Sequence, residues 1–182
     1  MNKRFLSIAL VIGVLGAAIG IYVGDKQTAP QKPQNGAIQQ LMSLSLNDSQ
    51  GTNQKLAQWQ GKFLLVNFWA TWCAPCVQEM PELSALQKEF SDNKNSHIQF
   101  IGMGIDSPSN IAEFAKKLQI SYPLFTAGME GTELSRQLGN QAGGLPFTVL
   151  ISQDGSLLKS YSGRLNIEQL RNDIINLTDN KR

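Results

Sequence analysis

The segment Phe63-Leu64-Leu65-Val66-Asn67-Phe68-Trp69-Ala70-Thr71-Trp72-Cys73-Ala74-Pro75-Cys76 constrains this chain more than any other. Its first half is an almost unbroken apolar run, the pattern of a strand buried on both faces. It ends in Cys-x-x-Cys, and the residues from Val77 to about Phe90 have helical character. The two cysteines are the only ones in the chain. A buried strand running directly into a helix places both thiols at the helix N-terminus, where unpaired backbone N–H groups and the positive end of the helix dipole favour an anion. A thiolate at Cys73 is stabilised there, and thiols so placed fall from about 8.5 to roughly 3.5–7.5 in pKa. Cys76, one turn on, is placed to attack a mixed disulfide at Cys73 and release the partner. Pro75 suits the first turn, where its missing N–H costs little.

Other uses of the pair fit less well. Zinc would need two further ligands, and the chain offers only His97 and carboxylates, so no metal site is expected. Covalent haem attachment needs His directly after the second Cys, where Val77 stands. A structural disulfide across a two-residue gap would constrain little of the unfolded chain. The residues therefore point to redox chemistry with no cofactor beyond the cysteine pair itself.

Phe68 to Cys76 resembles the active-site segment of the thioredoxin superfamily. The continuation Val77-Gln78-Glu79-Met80-Pro81 is similar to its membrane-anchored TlpA-like and ResA-like branch, bacterial extracytoplasmic thiol–disulfide oxidoreductases, and the resemblance spans roughly residues 43 to 178. It implies an α/β thioredoxin fold, with a mixed central sheet flanked by helices, preceded by an N-terminal extension and a single transmembrane helix. It also gives Leu145-Pro146 a meaning. Pro before an apolar run is one way for a strand to begin, but Pro146 stands where such proteins carry a cis-proline loop packed against the Cys-x-x-Cys. A cis bond there turns the Leu145 backbone outward to pair with an extended substrate chain, with Gly143 and Gly144 permitting close approach. Trp69 and Trp72 are expected to shield the thiols with apolar surface and to form part of the docking face, although both also suit a core. Ala74-Pro75 is the dipeptide that tunes the redox potential. Glu79 lies one turn beyond Cys76 on the same helix face, and the resemblance assigns it the Cys76 proton; a solvated helix glutamate is the plain alternative. Asn67 stands where thioredoxins have a buried aspartate. An amide takes up no proton at physiological pH, so that role is absent or moved to Glu79.

The 182 residues carry 16 Lys and Arg against 14 Asp and Glu, a formal charge of +2. Lys3 and Arg4 account for the whole excess, so the remainder is neutral and offers no basic stripe for nucleic acid. After those two residues, Phe5 to Val23 is free of charge, and as a helix it would span about 28 Å, the thickness of a bilayer's hydrocarbon. Residues 1–24 are read as an uncleaved signal-anchor with the N-terminus in the cytoplasm. The alternative is cleavage near Ala17-Ala18, leaving a free periplasmic protein. Residues 25–40, rich in Gln and Pro, read as a polar linker, and residues 41–182 as the globular domain.

Within that domain Leu41 to Leu46 suggests an outer strand, and Asp48-Ser49-Gln50-Gly51 a turn. The pattern then predicts a strand over His97–Gly104, a helix over about Ser109–Gln119, a strand over Tyr122–Thr126 and a helix over Glu130–Leu138. Asp154-Gly155 marks a hairpin joining Phe147–Ile151 to Leu157–Tyr161, and Asn166 caps a last helix. Pro81 is expected to bend the active-site helix. His97, the only histidine, is expected to be exposed and idle. The expected activity is protein-disulfide reduction outside the cytoplasmic membrane. Its partners would be protein thiols and disulfides such as those of apocytochrome c, with electrons supplied through the membrane. An anchored chaperone with incidental thiols and a thiol peroxidase are the alternatives.

Overall fold

Every residue of Phe63–Trp69 is buried, so this strand can only lie at the centre of a sheet with both faces covered. A computed structural model of the chain describes residues 33–92 and 98–179. The expected anchor (1–24), the start of the linker (25–32) and His97 lie outside the described residues. Among those that are described, no helix is long and apolar enough to cross a membrane.

In chain order the elements are α1 (Pro33–Ser43), β1 (Ser45–Asn47), β2 (Asn53–Lys55), a 3-10 turn (Leu56–Trp59), β3 (Phe63–Trp69), α2 (Ala74–Asp92) and β4 (Ile98–Gly104). There follow α3 (Pro108–Leu118), β5 (Leu124–Thr126), α4 (Gly128–Gln137), β6 (Phe147–Ile151), β7 (Leu157–Ser162) and α5 (Ile167–Asp179). Five strands form a mixed sheet in the order β5-β4-β3-β6-β7. β3 pairs parallel with β4, in register Trp69 to Gly104, and antiparallel with β6, in register Asn67 to Thr148. β1 and β2 form a separate antiparallel pair.

Alternation along β3 divides the core. Phe63, Leu65 and Trp69 face one apolar cluster with α2, α3 and α5. Leu64, Val66 and Phe68 face the other, with α1, the 3-10 turn and α4. Asn67 belongs by its parity to the α2 side. The α/β class, the mixed sheet and the terminal hairpin agree with the sequence reading. Gly155 takes a positive φ of 78° in that hairpin, and Asn166 Oδ1 accepts from Gln169 N at 3.0 Å to cap α5.

Three expectations are corrected. The linker does not extend to Gln40, and Leu41 does not open a strand: residues 33–43 are α1. Ala37, Ile38 and Leu41 are buried from it, a narrow stripe at helical spacing whose neighbours Gln39 and Gln40 are exposed. The polar majority disguised that stripe as a tether, and strand geometry begins only at Ser45. The strand expected from Tyr122 starts at Leu124, because Ser121 is tied instead to α2: its N and Oγ bond Ser84 Oγ and O at 3.1 and 3.0 Å. Helix α2 runs on through Pro81 as one element.

If α1 is part of the core rather than a tether, Leu41→Ala should cost about 2–5 kcal/mol. Denaturant unfolding of the oxidised protein measures this, and an unchanged midpoint would return the segment to the linker.

Candidate active site

The site is assembled at the carboxyl end of β3. After Trp69 the chain turns through Ala70-Thr71-Trp72 into α2, and Cys73 and Cys76 form a disulfide across this junction, with Cα atoms 5.3 Å apart. Both are buried, Cys73 with 6% of its surface exposed and Cys76 with none. The backbone N–H of Cys76 points at Cys73 Sγ, 3.4 Å away, as the helix-terminus argument requires of an anion site. Ala74 and Pro75 are exposed in the first turn.

The two tryptophans part company. Trp69 is fully buried, its ring 4.6 Å from that of Phe114, so it is core and no part of a docking face. Trp72 is 70% exposed beside Cys73.

Leu145-Pro146 is a cis peptide. The β3–β6 register, with Phe68 opposite Phe147, sets Pro146 against the end of β3, just short of the thiols. Leu145 packs on the apolar cluster that contains Cys73 and Cys76. The preceding loop is held by Asn140 Nδ2, which donates to Gly144 O at 2.9 Å. Gly143 has a φ of +67°, which requires glycine, whereas a Cβ at Gly144 would meet only open space.

Glu79 is not the solvated glutamate that its helix position allows. It is fully buried on α2. Asn67 Nδ2 donates to its Oε1 at 2.8 Å, and the Leu165 N–H, from the loop before α5, donates to Oε2 at 2.9 Å. Burial drives the carboxyl from 4.5 to about 7; the Leu165 N–H, the Asn67 amide and the Arg164 charge restrain the rise, while Glu82 adds to it. A carboxyl in that range exchanges a proton readily at neutral pH.

Sequence reasoning missed three contributors. Asp106 lies just past the end of β4. Its Oδ2 accepts from both the N–H and the hydroxyl of Thr71, and its Oδ1 accepts from Ser107 N and Asn110 Nδ2, both at 2.7 Å. Burial opposes its charge, but the bonds from Thr71, Asn110 and Ser107 outweigh it and hold the carboxyl below its usual value. Asp106 thereby ties the turn that leads to Cys73 onto the start of α3. The parallel register of β3 with β4, carried two residues beyond the Trp69–Gly104 pair, brings Thr71 alongside Asp106, and nothing in the sequence announces it. Thr148 and the Leu165 N–H had no signal, since only the fold brings Thr148 Oγ1 to Asn67 Nδ2 and the Leu165 N–H to Glu79. Among the described residues no cluster of three or more His, Cys, Asp or Glu is placed to hold a metal.

A disulfide-linked Cys-x-x-Cys at a helix N-terminus, with a cis-proline on the adjoining antiparallel strand, defines a thioredoxin-like thiol–disulfide oxidoreductase. The chain belongs to the Redoxin family, whose model matches residues 27–174, and within the thioredoxin superfamily it is TlpA/ResA-like. It is 26% identical over 177 residues to the thiol-disulfide oxidoreductase ResA of Halalkalibacterium halodurans, covering 97% of this chain and 96% of that one. The thioredoxin-like protein YneN of Bacillus subtilis is 36% identical over 129 residues, 68% of this chain and 72% of that one. A thiol:disulfide interchange protein of the thioredoxin family from Chlorobium tepidum superposes with a TM-score of 0.64 at 25% identity, covering 73% of this chain and 91% of that one.

The raised Glu79 makes stability depend on pH. Its folded value of about 7 lies above its unfolded 4.5, so the native state binds the extra proton between them. Stability is then highest below about 4.5 and falls as pH rises toward 7, by about 3 kcal/mol in all. Glu79→Gln should abolish that slope when unfolding free energies of the two oxidised proteins are compared from pH 4.5 to 8. Parallel curves would refute the assignment of the slope to this residue.

Proposed function

We propose that the protein is an extracytoplasmic disulfide reductase acting on other proteins. The observation that carries this reading is the Cys73–Cys76 pair at the N-terminus of α2 with the Glu79 carboxyl buried one helical turn beyond Cys76. In the reduced protein the Cys73 thiolate, favoured by the N-terminus of α2, attacks a disulfide of the partner. One partner sulfur leaves as a thiolate, and the other remains bonded to Cys73. Cys76 gives its proton to Glu79, and its sulfur attacks Cys73. The mixed bond breaks, the partner departs with both sulfurs reduced, and the Cys73–Cys76 disulfide is restored. Two electrons have passed from this protein to its partner, and a membrane electron donor must return them. No further cofactor enters the cycle.

Trp72 offers an apolar platform for the partner, and Leu145 ahead of cis-Pro146 an extended backbone to pair with it. Ala74-Pro75 sets the potential together with the buried surroundings of the sulfurs. We place the catalytic domain outside the cytoplasmic membrane, held by a helix within residues 1–24. This rests on Lys3-Arg4 followed by the uncharged run to Val23. Apocytochrome c awaiting haem is the partner class this reading favours, as an extracytoplasmic substrate whose paired thiols must be reduced.

Cys76→Ser should accumulate covalent adducts with partner proteins through Cys73, visible on non-reducing gels and absent from Cys73→Ser. Failure to trap any adduct would favour a binding module with incidental thiols. A dithiol potential toward −270 mV, about the reducing end of the thioredoxin-like range, is expected for a reductase. A value near about −120 mV would reverse the direction of transfer.

A further inference from the structure

Strand β3 carries one polar side chain in seven wholly buried residues, and that side chain is incompletely satisfied: Asn67 Oδ1 has no hydrogen-bond partner. An orphaned buried oxygen is costly, so the rest of the amide must be accounted for. Both hydrogens of Nδ2 are used. One bonds Glu79 Oε1 at 2.8 Å, the other Thr148 Oγ1 at 2.9 Å. Thr148 is fully buried, lies opposite Asn67 in the β3–β6 ladder and follows cis-Pro146 by two residues. We propose that Asn67, itself oriented by Thr148, is the positioning residue of the Glu79 carboxyl, fixing its direction and joining it to the strand that bears cis-Pro146.

An amide suits this place where a carboxylate would not. A second acid within 2.8 Å of Glu79 would share one site with a like charge and drive one of the two values far up. The amide keeps its two donors at every pH. Other titratable or charged groups bear on Glu79 from the elements around it. Arg164 lies in the loop before α5 and Glu82 on α2, with opposite effects. Tyr122, ahead of β5, is a buried phenol held above its usual range by burial and by Glu79. Cys76, on α2, is locked in the disulfide. Asn67 and the Leu165 N–H are the neutral donors that touch the carboxylate.

The inference rests on the reading of Glu79 as the proton acceptor, and its test separates the two. In the oxidised protein neither cysteine titrates, so carbon-13 labelling of glutamate side chains reports the carboxyls alone, with the Glu79 signal identified by its loss in Glu79→Gln. Asn67→Leu removes both donors at similar volume and is expected to move the Glu79 titration upward by about one pH unit. Thr148→Val frees the amide and should move it the same way by less, and Thr148→Ser, which retains the hydroxyl, should restore it. A packing role alone would alter the unfolding midpoint and leave the titration in place. Unchanged titration in both Asn67→Leu and Thr148→Val rejects the proposal, and if Asn67→Leu does not fold, an unmoved Thr148→Val rejects it alone. The acceptor role of Glu79 fails on a different result, an unchanged pH profile of disulfide exchange in Glu79→Gln, which leaves the titration of the Asn67 and Thr148 variants interpretable.

Discussion

The pairing of β3 on both of its edges is the constraint from which the rest of the molecule follows. Parallel bonding to β4 and antiparallel bonding to β6 satisfy its backbone, and its side chains fill two apolar clusters on opposite faces. Each large apolar side chain so buried stabilises the fold by about 1.5–3 kcal/mol before conformational entropy is counted. A strand held this firmly delivers the turn beyond it to a defined place. The cysteines therefore emerge at the start of α2 with little freedom, and Asp106, in the turn after β4, fastens the same turn.

That central placement also explains the acid chemistry of the site. A carboxyl facing a doubly covered strand loses its water, and burial raises its proton affinity. Asn67 reaches it from β3 and the Leu165 N–H from the loop before α5. Two neutral donors and the nearby Arg164 charge bring its titration back to about 7. The balance depends on groups separated by as many as 86 residues in sequence. A change in any of the three elements α2, β3 or the loop before α5 bears on one proton.

Much of the architecture was legible. The run from Phe63 to Trp69 declares a buried strand, because only a strand covered on both faces needs so few polar residues. Asp154-Gly155 declares a hairpin, because its backbone demands positive φ where Gly155 has it. The helix over residues 33–43 was obscured, since three buried residues among glutamines resemble a tether when counted by composition. Local polarity measures how much of a helix faces water and says little about whether its remaining stripe is docked.

Spacing and residue type alone determined the chemical identity of the site, two sulfurs one helical turn apart after a buried strand; only the family resemblance marked Pro146 as the facing loop. Local geometry suffices for the pair, since three consecutive peptide units fix how near the sulfurs lie. Tertiary structure decided the environment. Trp69 and Trp72, three residues apart and chemically equal, became core and surface because one points into the sheet's packed face and the other lies past its end. Glu79 became a near-neutral acid, although its sequence position permits a solvated side chain equally well. Proton affinity depends on lost water and on donors brought from distant elements, and neither is encoded within reach of the residue itself.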